Sequence, residues 1–198
     1  MAALLCLFLA ACSLGPSASP AATSTSTPVP SFDPMASGPR FSQPPVSPPT
    51  PPTISLPAFA CADSGGGTAG VTANVTDVRV GQQTGYDRFV LQFDGPVPTF
   101  TAKRQAKPTF TMSPSNQPIT LSGTYGVLVT VHTAAETSYT GSTDMSTGAF
   151  PIVKEARLTQ DFEGTVSWAL GLDHAACMRS FTLTAPARLV VDFSTAPI

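Results

Sequence analysis

The chain is 198 residues long, carries a net charge of -2 at pH 7, and only 11% of its residues are charged. So neutral a balance argues against a nucleic-acid binder and excludes a polybasic membrane-surface mechanism. The 21 prolines are unevenly placed, and their distribution divides the chain into parts.

Residues 2–11 are apolar, but the run is half as long as the roughly 20 residues needed to cross a bilayer. A short apolar run at the extreme N-terminus that ends in small residues has the form of an export signal. Here Leu9-Ala10-Ala11-Cys12 resembles the lipobox of bacterial lipoproteins. That resemblance implies a signal peptide at 1–11 and an acylated Cys12 as the mature N-terminus, and two or more acyl chains give stable anchoring. The sequence departs from the pattern in one respect, because no Lys or Arg precedes the apolar run. Cys6 lacks the preceding small residues and would leave with the signal. The competing reading is a buried N-terminal helix with a free cysteine.

Residues 12–58 are dominated by Pro, Ser, Thr and Ala, with Asp33 and Arg40 as the only charges. Such a segment buries too little apolar surface to offset its ordering entropy. It is expected to be a disordered Pro/Ser/Thr tether, stiffest at the polyproline II run "PPVSPPTPP". It serves either as a spacer that lifts a domain from a membrane or as a plain linker. The remainder, 59–198, is of ordinary size for a single core.

Beyond Cys12 two cysteines remain, Cys61 and Cys177, at opposite ends of this domain. In an exported protein an even pair is most simply a disulfide. Closing a loop of about 115 residues stabilises by roughly 4 to 5 kcal/mol in the chain-entropy model. A zinc site is the alternative, but two cysteines with two distant histidines lack its paired spacing.

Within the domain, apolar residues alternate at Phe89, Leu91 and Phe93; at Val127, Val129 and Val131; at Val166, Trp168, Leu170 and Leu172; and at Leu189, Val191 and Phe193. Period two with turn signals at "GQQTGYD", "DGPVP", "SPSNQP" and "LTAPAR" predicts half-buried antiparallel strands. The glycine-rich "SGGGTAG" reads as a flexible lead-in, and the polar "HTAAETSYTGSTDMSTG" as a loop. The chain also echoes itself. Val75-Thr76-Asp77-Val78-Arg79-Val80-Gly81-Gln82 aligns with Val153-Lys154-Glu155-Ala156-Arg157-Leu158-Thr159-Gln160, and "RFVLQF" with "RLVVDF". Such duplication predicts an all-β fold, a small β-sandwich built from two related halves whose apolar faces cover one another.

Three stretches, "VTDVRVGQQTGYDRFVLQFDGPVP", "VKEARLTQDFEGTVSWALGLD" and "FTLTAPARLVVDF", together resemble the AMIN-like domain over about residues 73 to 193. That family is related to the AMIN module at the front of N-acetylmuramoyl-L-alanine amidases. The resemblance implies a β-sandwich in an exported bacterial protein and a role at the cell envelope, with peptidoglycan as the expected ligand. It supplies no catalytic residues, and no catalytic domain is expected after Phe193.

Chemistry-bearing patterns are sparse. The two histidines, His132 and His174, are far apart, and a site built from His132 and Glu136 has no supporting spacing. Asp161 and Glu163 could flank a sugar as paired carboxylates, but in a turn they more simply solvate the loop. No phosphate or dinucleotide fingerprint occurs. The sequence thus points to a non-enzymatic protein with no catalytic residue, cofactor or metal. Ligand-binding candidates are Tyr86, Asp87 and Arg88 beside a hairpin turn and Tyr139 in the longest loop, since aromatic faces and arginine forks suit sugar rings and wall-peptide carboxylates. A cross-strand ion pair is the simpler role for Arg88. The partner is either peptidoglycan or a wall-associated protein, with the membrane reached through the lipid. The location is then extracytoplasmic, at the bacterial cell membrane. Metabolic labelling with a fatty-acid probe should mark the wild type and leave Cys12→Ser unmarked, and equal labelling of both would defeat the anchor.

Overall fold

The alternating apolar runs become strands because only a pleated chain sends every second side chain to one face. The computed structural model describes residues 55–132, 138–196 and 198. The expected signal, the expected lipidation site Cys12 and nearly all of the expected tether therefore lie outside the described residues, as does Glu136. Among the described residues the regular elements are twelve strands: β1 (Ser64–Gly66), β2 (Val75–Gln83), β3 (Tyr86–Phe93), β4 (Phe100–Gln105), β5 (Thr109–Met112), β6 (Gln117–Thr120), β7 (Tyr125–His132), β8 (Asp144–Ser146), β9 (Val153–Phe162), β10 (Thr165–Leu172), β11 (Met178–Thr184) and β12 (Ala187–Ser194).

They form a six-stranded sheet in the order β1-β4-β7-β10-β9-β8, a four-stranded sheet in the order β11-β12-β3-β2, and a separate β5–β6 hairpin. Every named pairing is antiparallel. The fold is all-β and the two large sheets pack as a sandwich, as the alternation predicted. Phe89, Leu91, Phe93, Leu189, Val191 and Phe193 of one sheet meet Val127, Val129, Val131, Trp168, Leu170 and Leu172 of the other in one core. Fully burying side chains of this size stabilises by about 1.5 to 3 kcal/mol each.

The first sequence echo maps onto two hairpins. β2–β3 lies in the four-stranded sheet and β9–β10 in the six-stranded one. Their turns carry Gly85 and Gly164 at φ 85° and 71°, a left-handed conformation that costs glycine little. Equivalent positions meet across the core, with Phe89 and Trp168 ring centroids 6.0 Å apart. The second echo has a different meaning: "RFVLQF" and "RLVVDF" are the neighbouring strands β3 and β12 of a single sheet.

Two segments depart from their sequence readings. The glycine-rich stretch is not wholly a loose lead-in, because Ser64–Gly66 pairs with Phe100–Ala102 as an edge strand. The polar loop contains the short strand β8, which pairs with β9 and sets Asp144 opposite Arg157. The β5–β6 hairpin packs Phe110 and Leu121 on Ala169 of the outer face of the six-stranded sheet. Gly126 and Gly171, paired across β7 and β10, allow this approach. A Cβ on Gly126 would lie 2.6 Å from the Phe110 ring, and one on Gly171 would lie 2.1 Å from the Ser122 carbonyl oxygen.

Two ties complete the unit. Cys61 and Cys177 form a disulfide spanning 116 residues, and beside it Ala60 and Met178 exchange two backbone hydrogen bonds of 2.9 Å. The second tie is Asp87. Its carboxylate is fully buried, and Oδ2 accepts the N–H groups of Ile152 at 2.7 Å and Val153 at 2.8 Å. It thereby joins β3 to the start of β9 in the opposite sheet. Asp87→Ala should cost about 3 to 5 kcal/mol, since it strands two buried donors and removes a charge-assisted acceptor. A denaturant midpoint unchanged from wild type would remove Asp87 as a tie between the sheets.

Candidate functional site

Because successive side chains of β3 alternate, Asp87, Phe89, Leu91 and Phe93 face the core, while Tyr86, Arg88, Val90 and Gln92 face outward. The antiparallel register places Asp192 opposite Arg88 on one side and opposite Arg179 on the other. Three charged residues therefore lie in a row across β3, β12 and β11, although they are remote in sequence.

Asp192 is the centre of this row. Arg88 donates to it as a fork, from Nε to Oδ1 at 2.7 Å and from Nη2 to Oδ2 at 3.0 Å, while Arg179 Nε donates to Oδ2 at 2.8 Å. The side chain of Asp192 is 0% exposed, those of Arg88 and Arg179 26% and 12%. A carboxylate removed from water needs such compensation. The hydrogen bond to Asp192 raises the Arg88 pKa above its ordinary value, although burial works against it.

Aromatic rings enclose the cations. The Arg179 guanidinium carbon lies 4.4 Å from the Phe59 centroid and 5.0 Å from that of Tyr86; Arg88 lies 5.2 Å from Tyr86 and 5.5 Å from Phe181. Phe59 and Tyr86 are tilted neighbours at 6.2 Å. The Tyr86 hydroxyl accepts from Arg88 Nη2 at 3.3 Å. The result is a layered patch of rings and guanidinium planes that presents flat apolar surface beside N–H donors, a combination suited to saccharide faces and oxyanions. The same sheet face carries Arg79, paired with Asp77 at 3.0 Å, and Arg188, whose Nε donates to the Pro186 carbonyl at 3.3 Å.

Of the four sequence-derived ligand residues, Tyr86 and Arg88 come together here, and Arg88 makes the cross-strand pair weighed as its simpler role. Asp87 points the other way, into the sandwich, as described above. Tyr139 also lies on the core side: its ring packs edge-on against Trp168 at 6.0 Å and its hydroxyl donates to the Ser142 carbonyl at 2.9 Å. Burial is the main cause of its raised pKa. Sequence reasoning missed Phe59, Arg179, Phe181 and Asp192. A usable signal lay in the pairing of "RFVLQF" with "RLVVDF", since running them antiparallel sets Arg88 against Asp192.

Elsewhere, a groove of about 540 Å³ lies at the far end of β3, lined by Phe93, Pro96, Val97, Thr182 and Pro186 among others. Asp94, its charged lining residue, is engaged by the backbone N–H of Asn74 at 2.8 Å and by Asn74 Nδ2 at 3.2 Å. Asp161 lies in β9, while Glu163 sits in the following turn at φ 50°. Among the described residues no group of three or more His, Cys, Asp or Glu is placed to hold a metal.

The AMIN-like domain family matches residues 73–195. No curated protein matches the chain. Asp192→Ala should leave two half-buried guanidinium groups facing one another and lower stability by about 3 to 5 kcal/mol. Thermal and denaturant unfolding check this, and a variant as stable as wild type would show that the row contributes nothing to the fold.

Proposed function

The chain belongs to the AMIN-like domain family, and from that premise we propose a non-enzymatic, lipid-anchored envelope protein that binds peptidoglycan through the outer face of its four-stranded sheet. AMIN-like domains are extracytoplasmic, cell-envelope binding modules related to peptidoglycan and are generally non-catalytic. The finer proposals concern this chain. The segment 1–11 directs export, Cys12 is acylated, residues 12–58 act as tether, and 59–198 reach the wall.

The observation that carries the binding claim is the ring-and-guanidinium patch. Phe59, Tyr86 and Phe181 flank Arg88 and Arg179 on one sheet face. Glycan rings stack on the aromatic surfaces, and the arginines donate to hydroxyl or carboxylate oxygens of the wall. Asp192 holds both guanidinium groups in place, so little conformational entropy remains to be lost when a ligand arrives. Asp87 and Tyr139 support the fold behind this face.

A second reading is favoured by one feature. β2 is a nine-residue edge strand of the four-stranded sheet. Its position at the edge of the sheet suits an extended partner by β-augmentation, which would recruit an envelope enzyme or complex. Crosslinking in native envelopes then gives one dominant protein product.

Retention of the full chain as its soluble Cys12→Ser form on purified sacculi tests the primary reading. Wild-type surface should be retained and Tyr86→Ala should lose at least about tenfold in affinity, equal to 1.4 kcal/mol. No retention above a control protein would end the proposal.

A further inference from the structure

The charge count of the patch leads further than the family does. Asp192 accepts from Arg88 Nε, Arg88 Nη2 and Arg179 Nε, so one carboxylate serves two guanidinium groups and a full positive charge is left over. The donors also exceed the acceptors. A guanidinium carries five N–H groups, and Arg88 Nη1 and both Nη nitrogens of Arg179 make no hydrogen bond to a described residue. The two side chains keep 26% and 12% of their surface exposed.

We infer that Arg179 and Arg88, held by Asp192 and walled by Phe59 and Tyr86, form a receptor for one oxyanion group, a carboxylate or a phosphodiester, on the wall polymer. This rests on the reading of the patch as the wall-binding site and names the chemistry that the site selects.

Three physical points support the selection. Arginine's planar fork matches the two oxygens of a carboxylate or phosphate, and its weak hydration makes the exchange of water for ligand cheap. The aromatic walls, with Phe59 4.4 Å and Tyr86 5.0 Å from the Arg179 guanidinium, exclude part of the solvent and strengthen an ionic contact. A neutral sugar would leave the surplus charge uncompensated, whereas an oxyanion balances it. The surrounding field has the same sign. Arg79 and Arg188 share the face, and Asp77 is the further carboxylate set against them, in a chain whose net charge is -2. Arg188 and Asp192 are four residues apart on β12, about 13 Å along the strand, so a polymer with repeated anions can meet a second cation on the same face.

The test has two parts, both on the full chain as its Cys12→Ser form. In the first, the Nε–H resonances of Arg88 and Arg179 are followed by NMR during titration with inorganic phosphate and, separately, acetate, each against sodium chloride at matched ionic strength. Saturable shifts with the oxyanions, absent with chloride and absent in Arg179→Gln, are expected. Arg179→Lys, which keeps the charge and loses the fork, should bind at least about tenfold more weakly. Both variants leave the Arg88–Asp192 fork in place, and a cooperative unfolding transition in each, at a midpoint lowered for Arg179→Gln, confirms that they are folded. In the second part, retention is measured on intact sacculi, on sacculi stripped of phosphodiester polymers by hydrofluoric acid, and on sacculi whose carboxylates have been amidated. Loss on stripping identifies phosphodiesters as the source, and loss on amidation identifies wall-peptide carboxylates. Retention that ignores salt, both treatments and Arg179→Gln, together with a flat oxyanion titration, overturns the inference and leaves wall binding intact. A saturable titration without retention on any sacculi overturns the wall reading and leaves the oxyanion receptor standing.

Discussion

A carboxylate without water must be compensated where it lies, and one sheet of this protein buries two of them. Asp87 and Asp192 are both fully buried, yet they sit on opposite faces of the four-stranded sheet. Adjacent residues of β3 divide the labour. Asp87 turns inward and fixes the backbone of β9, whereas Arg88 turns outward and fixes Asp192. The "YDRF" segment therefore joins the sandwich on one side and builds the candidate site on the other, and any one-residue slip of β3 would undo both together.

The closure of the sandwich follows from the twinned hairpins. Each contributes its most regular strand, β3 or β10, to the middle of a sheet, and the bulkiest inward residues, Phe89 and Trp168, meet face to tilted face. Position for position, Leu91 and Leu170 are both fully buried, as are Val75 and Val153. The six-stranded sheet then departs from its counterpart by the β5–β6 hairpin, which covers its outer side. The four-stranded sheet has no comparable cover among the described residues, and its outer face is where the arginines are.

The strands with strong apolar alternation were legible: β3, β7, β10 and β12 appear where Phe89, Val129, Trp168 and Val191 predicted them. So was the Cys61–Cys177 bridge. Strand β1 was not legible, because Gly65 and Gly66 have no side chains to alternate and the pairing is dictated by the backbone of β4. Strand β8 was hidden for a related reason, being three residues long and drawn into the sheet by β9. Half of the candidate patch was visible in Tyr86 and Arg88, whose aromatic and guanidinium chemistry stands out near a turn. Its other half was not, because Arg88 and Asp192 are 104 residues apart and Arg179 joins them only through the register of β11 with β12. Asp87 shows the limit of reading neighbours together: adjacency in a strand means opposite faces.

The covalent bridge also determines how the domain bears mechanical tension. A pull applied at residue 55 enters the fold through Phe59, Ala60 and Cys61, where one ring lies on Arg179 and two backbone bonds hold Met178. From Cys61 the load crosses the S–S bond directly to the head of β11. The three-residue pairing of β1 with β4, next in the chain, is thus bypassed, and the load falls instead on the longer pairing of β11 with β12.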